Sequence, residues 1–527
     1  MQFFQKFPKF KIIFDHYFIL KSRENINNFL DNFYYVFASS SFISRLMKIS
    51  SIQRQSMISL FSTIALTGIG FLSTIFFAHK LGPAILGAYY LFLAYLGIFN
   101  FIGDGGLGRA AVKRISEGKD ANEYFSAYMF IRIALLVVSV TVLLYVEPYL
   151  KDITSSGAVF WLILALIISV FSGSTWVGVY GSGKVGISQI SIFLDALART
   201  LIQIIAVVLG FGVAGLTGGF IGGLIAGGIV NFRYFNLKLV YFKISHLKNL
   251  LGFSFWIFLT ASGSLVFSYA DTILIGFFMT NADVGIYRTA FQLTSVATFT
   301  TLAFHSVLYP KISNWGVHEQ IIEIENSLAR AYTYSLLLAI PTCIGGWILG
   351  ERLLYFLYGA SFVEGTSALF FLLLMQVFYV FMYLGTMSLA ALNRPKDAFW
   401  ITLIAAVANI LLDLALIPTL GITGAAVATL IAMTINALGA LYLLSRIISV
   451  KFEYEPVKNI VYASGIMGIF LLVIMFLFPL AHVVSVLAVV ILGAIIYISV
   501  LFKLNQKIHD EIRDLCVNLG IPWPKIL

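Results

Sequence analysis

HKLGPAILGAYYLFLAYLGIFNFIGDGGLGRAAVKRISEG, from His79 to Gly118, is the stretch that decides the fold. It opens with a polar turn holding His79, Lys80, Gly82 and Pro83. An apolar span follows from Leu86 to Leu107, with one carboxylate, Asp104, near its far end. The exit is basic, with Arg109, Lys113 and Arg114. A soluble helix would show one apolar stripe; this one is apolar all round. About 20 such residues match the hydrocarbon core of a bilayer. The stretch therefore predicts a membrane hairpin with its charge held at one end.

Composition points the same way. Of the 527 residues, 60% are hydrophobic and only 11% are charged. A chain that apolar is expected to be an all-α polytopic membrane protein. Its net charge of +10 is read as Lys and Arg in cytoplasmic loops, facing anionic lipid or cargo, and not as a nucleic-acid surface. The two cysteines, Cys343 and Cys516, give no disulfide framework. There is no CxxC, HExxH or Walker motif. No metal site, cofactor or catalytic residue is expected.

Apolar runs of spanning length number about fourteen. They fall near 55–78, 86–108, 124–147, 157–180, 186–210, 213–235, 251–278, 284–308, 331–350, 366–392, 398–417, 421–445, 458–480 and 482–503. With residues 1–54 placed in the cytoplasm, the inward connections carry Arg109, Lys113, Arg114, Arg233, Lys238, Lys243, Lys311, Arg394, Arg446 and Lys451. The opposite face holds only Lys80, Lys151 and Arg352. That asymmetry sets both termini in the cytoplasm. Residues 1–54 are expected to be a cytoplasmic segment lying on the membrane surface.

The chain also repeats itself. Leu86-Gly87-Ala88-Tyr89-Tyr90 matches Val284-Gly285-Ile286-Tyr287-Arg288, and Phe211-Gly212-Val213-Ala214-Gly215 matches Leu420-Gly421-Ile422-Thr423-Gly424. The expected organisation is the segment 1–54, an N-lobe of six helices over 55–249 and a C-lobe of six over 250–446. A helix pair over 447–504 and a cytoplasmic tail over 505–527 complete it. Six is even, so the lobes share one orientation.

Leu81-Gly82-Pro83, Leu86-Gly87-Ala88-Tyr89 and Asp104-Gly105-Gly106-Leu107-Gly108 resemble polysaccharide-type lipid flippases of the multidrug/oligosaccharidyl-lipid/polysaccharide exporter superfamily. Val284-Gly285-Ile286-Tyr287 and Leu354-Tyr355-Phe356-Leu357-Tyr358-Gly359 look like that family's second-half motifs, so the resemblance runs over about residues 55–505. It implies a multi-pass cytoplasmic-membrane protein that moves an oligosaccharide on a polyisoprenyl phosphate or pyrophosphate to the outer leaflet. It also implies membrane lipids and glycan-assembly enzymes as candidate partners.

Charges inside spans are the candidate sites, because each costs roughly 2.5–3.5 kcal/mol at the bilayer centre. Arg132 is read as a cleft phosphate ligand or as a headgroup anchor. Asp195 and Arg199, four apart, are expected to pair. The resemblance places Asp271 and Arg288 at the central cleft. Arg288 would hold the cargo phosphate; Asp271 would hold Arg288 or take part in ion coupling. Asp413, with Asn409 one turn earlier, is the second ion-coupling candidate. Asp104 is expected to pair with Arg109, and the glycines of 215–228 to allow close helix contact. Tyr269 and Tyr287 are candidates for sugar stacking.

Two other functions compete. A drug or cation antiporter of the same superfamily would depend on a carboxylate in the first helix, and Gln55 to Ala78 contains none. A membrane glycan ligase or polymerase would need a sizeable outer loop with catalytic His or Arg. The longest outer connection, about Gly350 to Gly365, is short and has no His.

Overall fold

A computed structural model describes residues 51–149, 157–478 and 480–518. The surface segment expected over 1–54 lies, as far as residue 50, outside the described residues. All regular structure among the described residues is helical. Residues 65–511 form one compact unit. The described residues outside it, 51–64 and 512–518, are helical.

Helix α1 runs from Ser51 to Asp104 and is broken at Gly82, whose φ of 73° and ψ of 178° are not helical. Pro83 follows, where a missing N–H costs a new helix nothing. The first two predicted spans thus lie on either side of this break. The second limb stops at Asp104 and does not run on to 108. Gly105 and Gly106 take positive φ, and the basic exit becomes a separate helix, α2, Leu107–Ser116. Asp104 accepts the Gly108 N–H at 3.2 Å, which satisfies one orphan donor of α2.

Next come α3 (Ala121–Val146), α4 (Ala158–Gly181), α5 (Val185–Val208) and α6 (Gly212–Arg233), then α7 (Ile244–Phe278). The predicted span 284–308 is interrupted. It consists of α8 (Asn281–Thr294), a 3-10 turn over Ser295–Thr298 and α9 (Phe299–Val317). Then follow α10 (Ile321–Tyr358), α11 (Thr366–Ala391), α12 (Pro395–Ser445), α13 (Tyr454–Leu477), α14 (Val483–Leu504) and α15 (Gln506–Asn518). Helix α12 repeats the device of α1, turning at Gly421 with φ 60° and ψ −142°. Ten helices among the described residues are long and apolar enough to cross a bilayer.

The glycines of α6 do what small residues at that spacing allow. A Cβ on Gly219 would strike Gln203, and one on Gly223 would strike Asp195 and Arg199, both on α5. Helix α7 serves both halves. It packs on α2 and α3 at one end and on α12 at the other, with Phe258 stacked on Phe101 at 4.8 Å.

On the Lys/Arg-rich face, Glu325 at the start of α10 ties down the connection after α12. Lys451 Nζ lies 2.8 Å from its carboxylate, and the Ser449 N–H donates to it at 2.8 Å. These two bonds hold its carboxyl below the ordinary range. A depressed pKa stabilises the fold above the unfolded value of about 4.3 and loses that contribution as pH falls through the folded value. Purified wild-type protein is therefore expected to melt lower as pH drops below about 4, and Glu325→Gln to remove part of that dependence. Gly421→Ala is expected to destabilise by about 1–3 kcal/mol, the cost of a positive-φ, extended-ψ backbone that only glycine adopts readily, read as a lower melting temperature in detergent.

Candidate functional site

The half after residue 250 encloses a carboxylate pair. Asp271 of α7 is 5% exposed and Asp413 of α12 is 0% exposed. Their carboxyls lie against each other. Tyr287 of α8 donates its hydroxyl to Asp271 Oδ2. Thr429, on the second limb of α12, donates to the same oxygen at 2.6 Å. Asp271 Oδ1, both oxygens of Asp413 and the whole amide of Asn409 are enclosed with no hydrogen-bond partner. Asn409 precedes Asp413 by one helical turn and shares its face.

Enclosed ionised oxygens cost several kcal/mol each unless something compensates them. Buried polar groups left unpaired by the protein commonly accompany a water or an ion. Two carboxylates, an amide oxygen and two hydroxyls offer oxygen ligands, which suit a hard cation or a shared proton. Among the described residues no three His, Cys, Asp or Glu side chains converge as a metal cluster.

Arg288 lies elsewhere, at the seam between the halves. It does not reach Asp271. Its guanidinium sits 5.3 Å from the Phe291 ring and 5.8 Å from the Tyr90 ring of α1. It donates to the Ser268 carbonyl at 3.4 Å. Tyr90 donates to Gln292 Oε1 at 3.2 Å, also across the seam.

Over residues 52–315 the chain matches the family described as Polysaccharide biosynthesis protein. It belongs to that family. It is 28% identical to the probable low-salt glycan biosynthesis flippase Agl15 of Haloferax volcanii, over 76% of this chain and 85% of that one. It is 26% identical to the probable flippase AglR of the same organism, over 88% and 98%. Among solved structures, the lipid II flippase MurJ in an inward closed conformation aligns with a TM-score of 0.72 and 19% identity, covering 85% of this chain and 98% of that one. An inward-facing multidrug resistance MATE transporter aligns with a TM-score of 0.59 and 16% identity, over 72% and 94%. Family and relatives make the chain a multi-pass membrane transporter and not an enzyme.

In this member of the polysaccharide biosynthesis family, the first half does not copy the carboxylate pair. Ser73 stands as far before Gly87 as Asp271 before Gly285. Ile204 and Phe220 stand where Asp413 and Thr429 do, counted from Gly212 and Gly421. The counterpart of Tyr287 is Tyr89, whose hydroxyl accepts from Gln203 Nε2 at 2.9 Å. Gln203 also donates to the Leu216 carbonyl at 2.8 Å. That cluster is neutral and satisfied.

The remaining sequence candidates sit in the first half. Asp195 and Arg199 form the expected pair at 2.9 Å, with Arg199 over the Phe220 ring at 4.4 Å. Arg132 is buried. It donates to Asn100 Oδ1 at 2.5 Å and lies 3.6 Å from Asp104. Asp104 thus pairs with Arg132, where the sequence suggested Arg109, because α2 begins anew after the two glycines. Tyr287 is 1% exposed and so has no face open for a sugar; Tyr269 packs its ring against Gly97.

Thr429 was not visible in the sequence as a site residue. The repeat register could have found it, since a hydroxyl there replaces the phenyl ring of Phe220. If the pair holds a cation, Asp413→Asn and Thr429→Val should each weaken cation-dependent thermal stabilisation of the purified protein by about tenfold in apparent affinity. Melting curves across a series of sodium and potassium concentrations and of pH check this.

Proposed function

We propose that this protein moves a polyisoprenyl-(pyro)phosphate-linked oligosaccharide from the cytoplasmic to the outer leaflet of the cell membrane by alternating access. The relatives Agl15 and AglR are described as probable flippases, and the matching family is described as polysaccharide biosynthesis protein. The observation that carries the reading is Arg288. It is a half-buried guanidinium at the seam of two repeated halves, with no carboxylate paired to it among the described residues. A phosphate would supply the counter-charge, and a guanidinium can bind it bidentately.

In this reading α1 and α12 each cross the bilayer twice, and α7 and the α8–α9 pair once each. The chain then crosses about fourteen times, with both termini in the cytoplasm. The headgroup enters between the lobes while the polyprenyl chain stays in lipid. Glycan-assembly enzymes supply and receive it. The Asp271–Asp413 pair couples transport to a proton or monovalent cation, because its charge state decides whether α7 and α12 can close on each other. The fold is shared with a multidrug resistance MATE transporter; the match to the polysaccharide biosynthesis family favours the glycan cargo.

Cells lacking the gene should accumulate full-length lipid-linked glycan on the inner leaflet. Arg288→Ala should fail to restore surface glycan at normal protein level, whereas Arg288→Lys should restore part of it. Normal glycan export with altered dye efflux in the deletion strain would sink the proposal.

A further inference from the structure

The two halves meet through backbone, not side chains, at the end where α1 turns. A Cβ on Gly87 would overlap the Asn281 carbonyl, and a Cβ on Gly285 would overlap that of Pro83. The contact is reciprocal, because Gly87 and Gly285 are equivalent in the repeat, as are Pro83 and Asn281. Each helix start thus rests on the other with no side chain between them. Such close approach permits Cα–H···O contacts, which are weak. Separating the halves at this end means parting these two glycines.

One turn below, the next pair of equivalent residues has diverged. Tyr90 and Arg288 occupy the same repeat position and face each other across the seam, ring under guanidinium, at 5.8 Å. Tyr90 is used at both ends. Its ring carries Arg288, and its hydroxyl donates to Gln292 Oε1 at 3.2 Å, one turn further along α8. A single residue of the first half therefore grips two turns of the second, directly beneath the closure. Arg288 has little to hold it otherwise: the Phe291 ring and one carbonyl at 3.4 Å.

We propose that Tyr90 is a positioning residue that holds Arg288 across the seam, and that an anionic phosphate headgroup taking Arg288 releases this grip and loosens the Gly87–Gly285 closure. The proposal rests on the reading of Arg288 as the cargo cation. A charge-assisted bidentate bond to phosphate is stronger than a cation–π contact at a half-exposed site. Phosphate binding therefore draws the guanidinium from the ring. Cargo occupancy then favours the state in which this end is parted, which is the differential interaction that a ligand needs to shift a conformational equilibrium.

The test uses full-length protein in vesicles, with Cys343 and Cys516 changed to Ser and spin labels at Lys80→Cys and Phe278→Cys. These two positions are equivalent in the repeat, and both are exposed. The distance between labels reports the closure, and the probe is a polyisoprenyl diphosphate in the vesicle lipid. Without it the unaltered seam should give one short distance; with it a longer population should appear. Tyr90→Leu should show the long population without the diphosphate, and Tyr90→Phe, which keeps the ring, should restore most of the short one. Gly285→Ala should give the long distance under both conditions. Arg288→Gln should weaken diphosphate binding by about tenfold or more and abolish the distance change. If binding needs Arg288 but Tyr90→Leu stays closed, the grip is overturned and the cargo reading stands. If Arg288→Gln binds the diphosphate unchanged, the cargo reading fails and the cargo-released grip falls with it.

Discussion

The low dielectric of an apolar bundle makes an unpartnered charge costly, and most of the arrangement follows from how each charge inside it is met. Asp195 is met by Arg199 within one helix. Arg132 is met by Asn100 and Asp104. Asp271 is met by two hydroxyls at one oxygen, and the oxygens of Asp413 have no hydrogen-bond partner. The first two cases neutralise themselves and act as internal ties. The third is incomplete, and a proton or cation would complete it. Arg288 is incomplete in the opposite sense, which suits an anionic headgroup. One half of the molecule therefore holds both an unmatched acidic site and an unmatched basic one.

The repeat explains why the asymmetry is informative. Both halves share the Gly-x-Tyr opening and the Gly turn before the sixth helix, so the same frame is built twice. In the first half the frame is closed by Gln203, Ile204 and Phe220, which leave the Tyr89 cluster neutral and satisfied. In the second, Leu412, Asp413 and Thr429 stand at the corresponding places, and Asp271 stands where the first half has Ser73. Gly87 and Gly285 keep the frames in direct contact, since any side chain there would push them apart. The common fold is thus held by small residues, and the difference between the halves is carried by a few polar ones.

Much of this was legible in the sequence. Apolar runs located the helices, and Gly82 and Gly421 marked the two sharp turns. Asp271, Asp413, Arg132 and the Asp195–Arg199 pair each stood out as charge inside a span. What the sequence could not supply was partnership across the fold. Asp271 and Asp413 are far apart in the chain, and only the packing of α7 on α12 joins them. Asp104 finds Arg132 because two left-handed glycines end α1 early and turn the basic exit away. Helix period alone does not register such a break, so the adjacent Arg109 looked like the natural partner. Tyr90 carries no site signal in the sequence beyond its place in the repeat; the seam sets it against Arg288.

The most direct measurement of the central claim is leaflet transfer in vesicles that contain only this protein and a polyisoprenyl diphosphate-linked oligosaccharide. Glycan reaching the far leaflet can be read with a membrane-impermeant glycosidase. Transport predicts a protected glycan pool that becomes cleavable with time when wild-type protein is present, and that stays protected in protein-free vesicles. A folded, correctly inserted wild-type protein that left the pool protected under proton, sodium and potassium gradients alike would contradict the account.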